Sequence, residues 1–505
     1  DVFTHPNPSP DNYISRPLTV GLGNGHTLVL DMDQFCVRQW LLGDMARQRT
    51  SGKSWYWDAA GVALMRDFPN APDLILSATV NGQLQAVVPR MQQGRRGRLL
   101  NYERRGLGVA WSYALVFENP TTATSKQRPK ARAVEVVVNE TLQPLTVGER
   151  SGVQRTLSAE LPDGWRARFA RTTSVATLGQ ATIAYRSQDG WRPLVSQSPS
   201  KPPAPGIPLP SDGPLTIRYL AKLKSPNLPP QPKPPPPALQ ALPITAVPGF
   251  TGTQLPLSRS IMPTAMTWTE SGQLAFTSLK GHVYLARDSD GDGLQDELTL
   301  FEEGLAAPFG ILADGSDLIV AHKPEILRLR DTDGDGRADQ RSVIASGWGY
   351  TDNYHDWTCG IVRDRQGNLY VGLGSDYGQP KRPSDRARWR GAVLRIAPSG
   401  QTEPVGFSFR YPVGLAITEN DQIFVSDNQG VQNTFNEINH LQQGRHYGVP
   451  SRYETRREAP ATAPALQIPH PWTRSVNGLV FLPLINELRV ARGTSVTVVP
   501  VGGNK

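Results

Sequence analysis

Pro308-Phe309-Gly310 leads into Asp317-Leu318-Ile319-Val320, and this pairing of a short opening with a β-rich run recurs through the second half of the chain. Pro263-Thr264-Ala265-Met266 precedes Gly272-Gln273-Leu274-Ala275-Phe276, and Thr358-Cys359-Gly360 precedes Gly367-Asn368-Leu369-Tyr370-Val371. Pro412-Val413-Gly414-Leu415 precedes Asp421-Gln422-Ile423-Phe424-Val425, and Arg474-Ser475-Val476-Asn477-Gly478-Leu479 opens a fifth copy. Starts at 263, 308, 358 and 412 are spaced by about the length of one four-stranded propeller blade. A blade cannot bury both faces alone, so neighbours must stack. The expectation is a C-terminal six-bladed-type β-propeller over residues 249–485, with about five blades visible. Residues 486–505 show no blade signal and stay unassigned.

Upstream, the chain changes character. Residues 198–214 and 225–248 are rich in proline, with Pro234, Pro235, Pro236 and Pro237 consecutive, which favours an extended, semi-rigid spacer. The domain boundary is therefore placed at a linker over 225–248. Before it, β-rich runs at 27–30, 73–80, 109–117, 133–138, 154–161, 166–172 and 215–223 alternate with turn signals. Asn81-Gly82 and Asp163-Gly164 read as hairpin turns between such runs. These features predict a β-sandwich-like domain over 1–224, with a short helix at 34–47. Trp40, Trp55, Tyr56 and Trp57 are either core packing or a sugar-binding surface.

Composition agrees with an all-β chain: 505 residues, 38% hydrophobic, with 47 Gly and 45 Pro. The net charge of +8 comes mainly from the N-terminal part, where Arg95, Arg96, Arg98, Arg104 and Arg105 form the densest run. No nucleic-acid-binding motif accompanies it, so no nucleic-acid partner is expected. Cys36 and Cys359 are too far apart in sequence for a disulfide framework. No apolar run reaches membrane-spanning length, and the sequence opens at Asp1 without a signal-like core. It reads as a mature product that is secreted, periplasmic or on the cell surface.

Two loops share one acidic pattern. Asp288, Asp290, Asp292 and Asp296 stand at positions 1, 3, 5 and 9 of the first, and Asp331, Asp333, Asp335 and Asp339 do so in the second. Gly293 and Gly336 occupy position 6, where such loops turn sharply. Alternating carboxylates aimed at one centre suit a hard cation that takes six to eight oxygen ligands, so calcium is the expected metal. Thr299 and Ser342 replace the bidentate Glu of a sensor EF-hand, which points to structural sites at blade corners.

The chemistry concentrates at Trp348-Gly349-Tyr350-Thr351-Asp352-Asn353-Tyr354-His355-Asp356-Trp357, a polar, aromatic loop running into an inner strand. His355 followed by Gly360 and Gly367-Asn368-Leu369-Tyr370-Val371-Gly372-Leu373-Gly374 resembles the catalytic-histidine blade of the soluble glucose and sorbosone dehydrogenases. Phe409-Arg410-Tyr411-Pro412-Val413-Gly414 resembles their Arg-Asn-Pro segment, with Tyr411 in place of Asn. Asp427-Asn428-Gln429-Gly430 with Asn436-Glu437-Ile438-Asn439 resembles their calcium and quinone loop, with Val431 in place of Pro. The run from Pro263 to Gly478, which includes His470-Pro471-Trp472-Thr473, resembles the "membrane-bound dehydrogenase" propellers of planctomycete-type bacteria.

That resemblance implies a pyrroloquinoline quinone (PQQ) enzyme oxidising a sugar or polyol. It makes His355 the base that takes the hydroxyl proton and Arg410 the cation facing the cofactor. Asn428 and Gly430 become cofactor neighbours, and Gly430 with Glu437 would hold a further calcium. No Cys-x-x-Cys-His is present, so a c-type cytochrome acceptor would lie on another domain or chain. Two other readings are a non-catalytic calcium-binding scaffold for glycan or protein, and a lactonase using the same axial funnel.

Overall fold

A computed structural model describes residues 2–3, 14–43, 46–51, 54–66, 72–90, 95–118, 133–170, 181–194, 206–210, 213–222, 241–245, 252–375, 386–428, 435–449, 460–473, 475–482, 487–492 and 495–500. It is all-β and divides into two compact units. The first comprises residues 1–49, 57–232 and 339–342, and the second residues 50–56, 233–338 and 343–505. Among the described residues, no helix is long and apolar enough to cross a membrane.

In the first unit, Pro17–Gly21, His26–Asp31, Cys36–Leu42 and Val62–Arg66 pair in that order, antiparallel. A larger sheet carries Gly97–Arg105, Gly108–Glu118, Ala133–Val147, Arg150–Ala159, Leu215–Ala221, Thr182–Ser187 and Gly190–Pro193. The two meet through aromatics: Phe35 stacks on Tyr113 at 4.3 Å, and Trp40 meets Tyr219 edge-on at 5.5 Å. Between the sheets, the buried Arg155 donates to Asp73 at 2.6 Å and to Glu140 at 2.7 Å. A buried cation is tolerated only when paired in this way.

Two local expectations fail here. Residues 34–47 contain no helix, because Phe35 takes a positive φ of 55° and turns the chain directly into the strand Cys36–Leu42, buried on both faces. Trp40 therefore lies in the core, not on a sugar-binding surface. The side chains of Trp55 and Tyr56 fall outside the described residues. Asn81-Gly82 is a hairpin turn between Leu74–Val80 and Gln83–Val87, but Asp163-Gly164 is not. There the chain leaves Arg150–Ala159 and enters another sheet, where Trp165–Phe169 pairs with Leu74–Val80. The turn chemistry is local, while the partner is chosen by burial.

The second unit is a series of antiparallel blades. Blade 1 is Pro263–Trp268, Leu274–Ser278, His282–Arg287 and Glu297–Glu302. Blade 2 is Gly310–Asp314, Asp317–His322, Glu325–Arg330 and Gln340–Ser346. Blade 3 is Thr358–Arg363, Leu369–Leu373, Val393–Ile396 and Thr402–Phe407, joined in parallel by Arg445–His446. Blade 4 is Pro412–Ile417, Ile423–Asp427, Phe435–His440 and Leu466–Pro469. Leu479–Leu482, Glu487–Arg492 and Ser495–Pro500 form a fifth sheet, so the stretch past Asn486 supplies two strands that its sequence does not announce.

First strands of successive blades lie side by side. The recurring glycine explains how. A Cβ on Gly310 would sit 2.2 Å from the carbonyl oxygen of Gly360, and one on Gly414 would sit 2.0 Å from that of Asn477. Backbones of neighbouring blades approach too closely for any side chain there. Val320, Val371 and Val425, on the second strands, are fully buried in the stacked core.

Candidate functional site: the His355 loop and the acidic turns

Both acidic loops fold as tight turns around their first aspartate. The Asp288 carboxylate accepts the N–H of Gly291 at 2.7 Å and of Gly293 at 2.8 Å, which holds it below the usual carboxylate range. Asp331 accepts the N–H of Gly334 at 2.7 Å and of Gly336 at 2.9 Å. Gly293 and Gly336 both take positive φ, near 89° and 84°. One carboxylate oxygen from each of Asp288, Asp290 and Asp292 lies within 4.8 Å of the others, and the same holds for Asp331, Asp333 and Asp335. The ninth positions do not join these groups. Asp296 accepts the Oγ–H of Ser289 at 2.9 Å and its N–H at 3.0 Å, and Asp339 stands apart from the second trio.

The two turns differ in their surroundings. The second docks on the last strand of blade 1: Ala338 N–H donates to the Phe301 carbonyl at 2.8 Å, and Arg337 reaches Glu303 at 3.4 Å. Among the described residues, the first closes on its own hairpin, through Asp296 N–H to the Arg287 carbonyl at 3.0 Å.

His355 sits on a loop with its own scaffolding. Asp356 is buried and accepts the N–H of Thr351 at 2.6 Å and its Oγ1–H at 2.7 Å. Asn353 Oδ1 accepts the N–H of His355 at 2.9 Å. Beneath the loop, the buried Lys323 from blade 2 points its ammonium at the carbonyls of Asn353 (2.9 Å), Asp352 (3.1 Å) and Thr351 (3.5 Å). Arg390, also buried, donates to the carbonyls of Gly349, His355 and Trp357 at 3.4 Å each. Two buried cations thus fix six main-chain carbonyls, with Asp356 as the nearby counter-charge. The half-buried imidazole packs against Tyr354, ring centres 3.8 Å apart.

The neighbouring blade brings Tyr411, not Arg410, against this ring. Tyr411 meets His355 edge-on at 5.1 Å and Trp357 edge-on at 5.7 Å. Its hydroxyl is buried and makes no hydrogen bond among the described residues, and burial pushes its ionisation far up, so it stays protonated. Arg410 donates from its guanidinium to the Asn428 carbonyl at 3.3 Å. The backbone N–H groups of Arg410 and Tyr411 both donate to the fully buried carboxylate of Asp427. Burial, partly countered by those two bonds, pushes Asp427 up to about 7. Glu437, opposite it on the next strand, is also raised by burial and accepts from Asn439 Nδ2 at 3.3 Å. Gly430 lies outside the described residues.

Lys323 and Arg390 carry no motif in the sequence, and Asp427 is not singled out by it as a site residue. Lys323 and Arg390 act on backbone far from their own positions, and Asp427 opens the Asp427-Asn428-Gln429-Gly430 segment without being assigned a role of its own there. The orphaned Tyr411 hydroxyl and the Asn428 side-chain oxygen, which also lacks a partner among the described residues, flank Arg410. A donor, a cation and an acceptor are the groups that an anionic ligand bearing ring carbonyls takes, and here both orphaned atoms are closed to solvent.

Blades stacked through glycine-lined inner strands, with acidic turns at their outer corners, make the second unit a β-propeller. A family model described as a domain of unknown function, DUF7133, matches residues 262–493. Among solved structures, the chain is similar to an oxidoreductase from Thermus thermophilus described as a glucose dehydrogenase, with 20% identity over 48% of this chain and 80% of that one, TM-score 0.38. It is similar to the PQQ-bound aldose sugar dehydrogenase of Streptomyces coelicolor, with 18% identity over 48% and 78%, TM-score 0.39. The PQQ domain of pyranose dehydrogenase from Coprinopsis cinerea gives 16% identity over 53% and 81%, TM-score 0.39. No curated protein matches the sequence.

Proposed function

We propose that this chain is a calcium-holding propeller dehydrogenase that oxidises a sugar or related alcohol outside the cytoplasm, in the periplasm, at the cell surface or after secretion. One observation carries the reading: the His355 loop is locked from below by Lys323 and Arg390, and its ring is left beside the unpartnered Tyr411 hydroxyl. Rigid support under a half-exposed imidazole is what a positioned base needs. His355 takes the substrate hydroxyl proton, since neutral imidazole accepts a proton near neutral pH. Tyr411, protonated at all ordinary pH, donates a hydrogen bond to a ligand oxygen beside that base. Arg410 and Asn428 orient the ligand's far end, and Asp427 holds the main chain that carries Arg410 and Tyr411. PQQ, when bound, supplies the two-electron acceptor. Calcium in the two acidic turns would be structural, Glu437 and Gly430 would hold a further calcium, and a c-type cytochrome on another domain or chain would take the electrons.

The test is reconstitution of the full chain with calcium and PQQ, followed by absorption spectra and dye-linked turnover on a panel of aldoses and polyols. His355→Ala should cut turnover by about 10²–10⁴-fold. A chain that takes up no quinone supports a second reading, a non-catalytic calcium-bound scaffold, which the packing of Tyr411 against His355 and Trp357 favours.

A further inference from the structure

Ion pairing sorts the arginines of the first unit into two kinds. The dense run in the sequence is largely satisfied: Arg95 meets Asp33 at 3.3 Å, Arg98 meets Glu135 at 2.8 Å, Arg105 meets Glu103 at 2.6 Å, and Arg96 donates to Gln34 at 2.9 Å. Arg150, Arg186 and Arg218, scattered in sequence, are not. Their strands Arg150–Ala159, Leu215–Ala221 and Thr182–Ser187 are adjacent in that order, and Gly190–Pro193 follows with Trp191. Alternation along these strands sends Val153, Ile183, Ile217 and Tyr219 into the core, so Arg218 and its cross-strand neighbours face outward.

On that outer face the Arg218 guanidinium lies 3.9 Å from the centre of the Trp191 ring, and Arg186 lies 5.8 Å from the same ring. Arg150 donates to Thr182 Oγ1 at 3.4 Å. No described carboxylate pairs with any of the three. The acids nearest Arg150 and Arg186 in sequence are engaged elsewhere, Glu149 with Lys222 at 2.8 Å and Asp189 with Arg192 at 2.7 Å, and Asp212, nearest Arg218, lies outside the described residues. Partial burial, together with Arg186 and Arg150, lowers the pKa of Arg218. Like charges gathered on one sheet without counter-charge weaken the fold unless an anion completes them.

We propose that this face binds an anionic polysaccharide carrying carboxylate or sulfate groups along its length. The three arginine positions run diagonally across three neighbouring strands, Arg218 four register positions beyond Arg150 and Arg186 two beyond Arg218, a row that repeated anions on a linear chain can follow. Gln154, across from Arg218, and Gln143, across from Gln154, extend the face with hydrogen-bonding groups suited to hydroxyls. Arg218 covers one face of the Trp191 ring and Arg186 lies beside it, so this ring is taken up by cations rather than left for the base stacking that single-stranded nucleic acids use. The outward positions Gln154, Thr156, Thr182, Thr216 and Arg218 are polar, unlike the apolar centre of a protein–protein interface.

The test measures binding of the full chain to polygalacturonate, heparin, neutral dextran and an oligothymidylate across a salt series. Binding to polygalacturonate or heparin should exceed that to dextran. The triple variant Arg150→Gln, Arg186→Gln, Arg218→Gln should lose about tenfold or more in affinity and flatten the logarithmic salt dependence by about 2–3 units. The control Arg98→Gln, Arg105→Gln should stay within about twofold of the parent, and thermal melting should confirm that both variants fold. Three results overturn the proposal: no preference for anionic over neutral glycan, an equal loss in the control, or oligothymidylate bound as tightly as the glycans.

Discussion

The ammonium of Lys323 lies 2.9 Å from the backbone carbonyl of Asn353, two residues before His355 in sequence and thirty after the lysine itself. Trp348 Nε1 and Thr358 Oγ1 both donate to the Lys323 carbonyl, so the lysine is bound to both ends of the loop that it supports. Replacing it with Met removes the side-chain donor from three carbonyls, of which that of Asn353 keeps the N–H of Asp356 at 3.0 Å. Lys323→Met should cost about 3 kcal/mol of stability, measured by denaturant unfolding, and should raise amide exchange across residues 349–357. An unaltered exchange pattern there would mean that the loop holds its shape without the lysine.

Tyr411→Phe separates stability from ligand binding. The buried hydroxyl has no partner among the described residues, so its removal should stabilise the chain by about 1 kcal/mol. If the hydroxyl serves a bound quinone, the same change should weaken quinone uptake several-fold in a spectroscopic titration. Loss of stability instead would show that the hydroxyl is already bonded.

The two acidic turns should not contribute equally. Asp333→Ala disturbs a turn tied to blade 1 through Ala338 and Phe301, whereas Asp290→Ala disturbs one that closes on its own hairpin. With calcium present, Asp333→Ala should lower the melting temperature more than Asp290→Ala, and a chelator should remove most of that difference. Melting that ignores both calcium and chelator would leave the turns without a metal role.

Acid sensitivity follows from two histidines held neutral. Burial lowers His26 and His282 each to about 4, and Lys280 adds to the effect at His282. His26 Nδ1 accepts from Trp40 Nε1 at 3.0 Å, and its other nitrogen faces Ser151 Oγ at 3.0 Å, so a second proton would break the Trp40 bond. A folded-state value below the unfolded one means that the unfolded chain binds protons first, and stability is lost as pH falls from about 6.5 to 4. The loss should approach about 3 kcal/mol per histidine at the low end. Comparing the pH dependence of unfolding for the parent and His26→Gln checks it, since the variant should show a shallower slope.

The blade repeat was legible because its causes are local. Gly310 and Gly414 in the repeated openings each meet a neighbouring backbone at contact distance, and the run that follows each opening forms a buried second strand. The acidic turns were legible for the same reason, since Asp288 and Asp331 satisfy backbone within five residues of themselves. The short helix at 34–47 was misread because burial on both faces removes the alternation that marks a strand. Only the tertiary structure placed Lys323 and Arg390 under the His355 loop, turned Tyr411 rather than Arg410 toward that histidine, and paired the dense arginine run while leaving Arg150, Arg186 and Arg218 together. Those outcomes depend on which strands become neighbours and in what register. Burial of distant residues sets that choice, and no short stretch of sequence encodes it.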